Sequence, residues 1–100
     1  MKRSRQSSSD PLFALEFVKS AFKELSRLER KVQQRILEHV ELLRENPFEP
    51  RPKADIALVK GERMRLYRLR VGEYRVFYAV EGEKVIILGV EHRGRAYKRS

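Results

Sequence analysis

The stretch that most constrains this chain is 64–98, MRLYRLRVGEYRVFYAVEGEKVIILGVEHRGRAYK. Two short turns, at Gly72-Glu73 and across Glu81–Lys84, cut it into three runs rich in Val, Ile, Leu, Tyr and Phe, the pattern of a β-meander. Gly72 suits the first central position of a two-residue type II′ turn, which needs positive φ. That turn sets a register in which Val71 faces Tyr74, Arg70 faces Arg75 and Arg68 faces Phe77. Side chains alternate along a strand, so Tyr67, Leu69, Val71, Tyr74, Val76, Tyr78 and Val80 share one apolar face. Arg68, Arg70 and Arg75 share the other. Like charges set directly opposite one another destabilise a sheet. An anion seated on that face explains why the arginines are there.

The charge balance points the same way. The formal net charge is +9, and 63–99 alone holds ten basic residues against four acids. The positive field is therefore concentrated on the meander and its exit, as on a surface that meets a polyanion. One hundred residues with 41% hydrophobic content suffice for one modest core. With no cysteine, disulfides and thiolate metal sites are excluded. Two histidines and no acidic cluster at ligand spacing leave no candidate metal site, so no cofactor is expected. The apolar runs are too short to span a membrane, and no signal-peptide core opens the chain. A cytoplasmic protein is the expectation.

Residues 1–11 read as a disordered basic tail and 12–100 as a single domain. Leu12–Val18 alternates around Glu16 and reads as a strand, with Phe13, Leu15 and Phe17 on its apolar side. Ser20 is a candidate N-cap for the helix that follows. Phe22, Leu25 and Leu28 form one helical stripe. Val32, Ile36, Val40 and Leu43, supported by Leu37, form a second. The phase slips near Leu28–Lys31, which predicts two helices or a broken one, ended by Asn46-Pro47. Residues 47–63, with three prolines and Gly61, read as a loop from which Ile56, Leu58 and Val59 fold back onto the core. Val85–Glu91 is almost wholly apolar, as in a central strand covered on both faces, and Gly89 marks a bulge or a close approach.

This order of elements resembles the RelE/ParE toxin superfamily, and within it the RelE-type ribosome-dependent mRNA endonucleases. The similarity rests on Tyr67-Arg68-Leu69-Arg70, then Gly72-Glu73-Tyr74-Arg75-Val76-Phe77-Tyr78, then His92-Arg93 and Tyr97. It implies an α+β fold: an N-terminal strand, a two-helix hairpin, then an antiparallel three-stranded meander with the helices packed on one sheet face. The other face is then the active site. The resemblance implies that Arg68, Arg70, Arg75, Arg93 and Tyr97 contact RNA or take part in cleavage. Arg95 and Lys98 add RNA-binding charge. It also implies a cognate antitoxin that wraps the toxin in a hetero-oligomer, with the ribosome and its mRNA as target.

The chemistry expected of such a site needs no protein nucleophile, because an RNA 2′-hydroxyl can attack the adjacent phosphorus. Arginine stabilises the charge that develops, since its planar guanidinium is always protonated and forks onto phosphate oxygens. Arg75 is the first candidate for that role and Arg93 the second. Some family members carry lysines where this chain has Arg68 and Arg70, and arginine cannot serve as a general base. Proton transfer is left to His92, a residue type suited to it, and to Tyr97. Two alternatives remain open: a ParE-like toxin that inhibits DNA gyrase, and a non-catalytic RNA-binding protein or decayed toxin.

Overall fold

A computed structural model of the chain describes residues 12–61 and 65–93. The sequence expectations for the tail (1–11) and for Arg95, Tyr97 and Lys98 lie outside those residues. The elements run β1 (Ala14–Phe17), α1 (Lys19–Ser26), α2 (Arg30–Glu41), a 3-10 turn (Leu42–Arg44), β2 (Asp55–Lys60), β3 (Leu66–Val71), β4 (Tyr74–Glu81) and β5 (Lys84–His92). The strands form one sheet in the order β1-β5-β4-β3-β2. Every pairing is antiparallel except β1 with β5. The fold is α+β, as expected.

The meander closes as the sequence predicts. Gly72 has φ +61 and Gly82 has φ +60, so each two-residue turn uses the left-handed backbone that only glycine adopts without cost. Val71 pairs with Tyr74, Arg70 with Arg75 and Arg68 with Phe77. Tyr67, Leu69, Val71, Val76 and Tyr78 are buried against the helices together with Ile36, Val40 and Leu43. Tyr67 and Tyr78 stack with ring centroids 5.4 Å apart, and Phe48 and Phe13 continue the aromatic row toward β1. The Tyr78 hydroxyl donates to the Pro47 carbonyl at 2.7 Å, pinning the loop after the helices onto the sheet. Arg51 holds the same loop by donating to the carbonyls of Leu42, Asn46 and Glu49. Those are groups the helical segment and its exit would otherwise leave unpaired.

Several expectations are corrected. The segment 47–63 is not wholly loop: Asp55–Lys60 pairs with β3 as an edge strand. A bulge between Leu58 and Lys60 breaks its alternation, so Ile56 is buried while Leu58 and Val59 are both exposed. Helix α1 starts at Lys19 with Val18 at the N-cap position, and no side chain caps it, so Ser20 does not. Its buried stripe is Ala21 and Leu25, whereas Phe22 is 60% exposed. The close packing of α1 on β5 selects the small residue and turns the large one outward. On α2, Ile36 and Val40 are buried, but Leu37 stands at the surface.

The break between the helices falls at residues 27–29, where the Gln33 amide donates to the carbonyls of Ser26 and Leu28. Strand β5 is flanked by strands on both sides, and α1 packs on one of its faces. Ile86 and Leu88 are only half-buried, so double cover does not hold for these side chains. The β4–β5 ladder slips between Phe77 and Tyr78: Phe77 pairs with Gly89 and Tyr78 with Ile87, leaving Leu88 as the extra residue of a bulge beside Gly89.

Candidate functional site

The register defines two rows across the sheet face turned away from the core. One reads Asp55, Arg70, Arg75, Glu91 from β2 to β5, and the next reads Ala57, Arg68, Phe77, Gly89. Arg68, Arg70, Arg75 and Arg93, with Gly72 and Glu73 of the hairpin turn, line an open cleft of about 250 Å³. Arg93 is fixed there by its backbone N–H, which donates to the Glu73 carbonyl at 2.8 Å. Strands β3, β4 and the end of β5 therefore bring four guanidinium-bearing residues into one place.

Little within the chain neutralises them. Arg70 lies 3.9 Å from Asp55, and both side chains are about half exposed, so the pair contributes under about 1 kcal/mol. Among the described residues Arg68, Arg75 and Arg93 make no ion pair. Glu91 faces Arg75 across the β4–β5 ladder without closing to salt-bridge distance. The Nε of Arg75 is buried with no hydrogen-bond partner, a cost of about 1–3 kcal/mol for a donor left unsatisfied. Adjacent like charges and an orphaned donor both raise the energy of the cleft. A bound oxyanion offsets the like-charge repulsion among the arginines.

His92 sits elsewhere. It pairs with Tyr74, whose ring packs edge-on against it at 4.9 Å, on the sheet side that carries Val76 and Tyr78. Its Nε2 approaches Glu73 Oε1 at 3.3 Å, so it stands behind the turn rather than in the cleft. The sequence alone assigns no site role to Glu73, Glu91, Asp55 or Phe77. The alternation that located the arginines also carries a signal for Phe77 and Glu91, each an even number of residues from a cleft arginine. Asp55 needed the unforeseen strand β2. Among the described residues no group of three or more His, Cys, Asp or Glu converges to hold a metal.

A five-stranded sheet backed by two helices, with an arginine-lined open face, defines a small α+β protein with a cationic binding face. Residues 15–97 match the family model described as the ParE toxin of type II toxin–antitoxin systems, parDE. A Methanocaldococcus jannaschii protein named RelE1 is 35% identical over 88 residues, covering 86% of this chain and 96% of that protein. The toxin in the crystal structure of the archaeal RelE–RelB complex from Pyrococcus horikoshii OT3 is 33% identical. It superposes with a TM-score of 0.73 over 84% of this chain and 98% of its own. The RelB–RelE complex from Methanococcus jannaschii gives 31% identity and a TM-score of 0.65 over 84% and 96%. The chain belongs to the RelE/ParE family of toxins of toxin–antitoxin systems. Among the described residues no helix is long and apolar enough to cross a membrane.

Proposed function

We propose that the chain is a RelE-type endoribonuclease that cuts mRNA in the ribosomal A site and so inhibits translation. The observation that carries this reading is the cleft in which Arg68, Arg70, Arg75 and Arg93 meet with little internal neutralisation. The 2′-hydroxyl attacks the adjacent phosphorus and the bond to the 5′-oxygen breaks, leaving a 2′,3′-cyclic phosphate and a 5′-hydroxyl. Arg75 stabilises the charge that develops on the phosphorane oxygens, where preorganised donors contribute most. Arg93 assists, and Arg68 and Arg70 hold flanking phosphates. Tyr97 is a second proton-transfer residue, and Arg95 and Lys98 add RNA-binding charge. His92 takes part in proton transfer through Glu73, the cleft-lining carboxylate it touches. No metal is required by this route.

The partner is a cognate antitoxin, supported by the RelB chains in the complexes of the archaeal relatives. Phe22 on α1 and Leu37 on α2 expose apolar surface on the helices that such a chain can cover, while its acidic residues neutralise the arginine face.

The test is an in-vitro translation reaction in which message integrity is followed alongside protein synthesis. Message cut within the reading frame, with 5′-hydroxyl ends, supports the nuclease. The ParE family model favours a second reading, inhibition of DNA gyrase. Intact message together with blocked supercoiling supports that one. Neither effect leaves a non-catalytic RNA binder or a decayed toxin.

A further inference from the structure

We infer that Phe77 is a nucleobase-stacking platform that sets one base of the bound RNA beside the phosphate held at Arg75. The inference deepens the RNA-cleaving reading and rests on it. Phe77 follows Arg75 by two residues on β4, so both project from the open face, roughly 7 Å apart along the strand. That is close to the span from a phosphate to the base of a neighbouring nucleoside.

Phe77 has no part in holding the fold together comparable to that of the core aromatics. Phe13, Tyr67, Tyr74 and Tyr78 belong to the core or pack on it, whereas the Phe77 ring lies outside it, half-buried. It meets no other aromatic ring among the described residues. Its cross-strand neighbours are Arg68 on one side and Gly89 on the other, and the glycine brings no side chain to that flank. Ala57 ends the same row with a methyl group. An aromatic ring on an open sheet, with Arg68 and Arg75 beside it and the Leu66–Ala79–Ile86 row as its apolar border, has the chemistry of a single-strand binding surface. Bases stack on the ring while cations track the backbone.

The chain has no tryptophan, so Phe77→Trp installs a sole indole reporter. Its emission is titrated with a short fluorescein-labelled single-stranded RNA at low salt, anisotropy of the label being read in parallel. A matched chain of abasic ribose phosphates serves as control. RNA binding with quenched indole emission, and abasic binding without quenching, is the expected result. Phe77→Leu is expected to weaken RNA binding roughly tenfold while leaving the abasic affinity and the melting temperature unchanged. RNA that raises the anisotropy without altering the indole, or equal loss of both affinities in Phe77→Leu, overturns the stacking platform and leaves the RNA-binding reading standing. An RNA that does not bind the parental chain at all overturns both.

Discussion

The Glu24 carboxylate accepts a hydrogen bond from the Val90 backbone N–H at 2.8 Å, tying helix α1 to strand β5 where the sheet bulges. Strand β1 ends opposite Ile87, so Val90 lies past the last residue β1 pairs with, and its N–H takes an acceptor from outside the sheet. Glu24 supplies it and anchors the strand end that carries Glu91 and Arg93 toward the cleft.

Replacing Glu24 with Ala strips this N–H of its partner and is expected to cost about 1–3 kcal/mol. Glu24→Gln keeps a carbonyl acceptor at the same reach and should retain most of the stability. Thermal denaturation of the two variants checks the contrast. Equal melting temperatures for the two would show that the bond contributes nothing.

Tyr78 predicts a pH dependence. Burial, reinforced by Tyr67 and opposed by Arg51, pushes its phenol far above the ordinary value of 10.0. The folded state then keeps a proton that the unfolded state releases, so stability is fully present below pH 10 and falls as pH rises beyond it. Tyr78→Phe should flatten that alkaline decline. It should also cost about 1–2 kcal/mol at neutral pH, because the Pro47 carbonyl loses its donor. Urea denaturation between pH 8 and 11 reads both effects, and parallel declines in parent and variant would contradict the assignment.

The helix-to-cleft bond itself could not be read from the chain, because Glu24 and Val90 are 66 residues apart. What was legible is local. Gly72 sets the turn, the turn sets the register, and the register puts Arg68, Arg70 and Arg75 on one face. Strand β2 escaped because Pro47, Pro50 and Pro52 announce a loop and the bulge after Leu58 destroys the alternation that marks a strand. Phe22 misled because helical periodicity registers where apolar residues recur. It does not register which neighbour needs a small side chain, and α1 approaches β5 through Ala21. Chemistry alone groups His92 with the arginines, while strand parity places it behind them, opposite Tyr74.

The excess positive charge of the cleft predicts that antitoxin association is electrostatically steered. Its on-rate should fall as ionic strength rises from low to physiological, because exposed charges are screened beyond roughly 8–10 Å. Stopped-flow mixing with the product of the adjacent gene measures it. A rate indifferent to salt would remove the arginine face from the encounter.

The most direct test of the account is Arg75→Ala in the translation reaction that follows message integrity. The side chain lies on the open face, so the fold should survive, as circular dichroism and melting would show. Loss of about 3–4 kcal/mol of transition-state stabilisation corresponds to cleavage slowed roughly a hundredfold or more. Parental chain that cuts the message, beside a folded Arg75→Ala variant that leaves it intact, is the predicted result. Cleavage by the variant within a few-fold of the parent would contradict it.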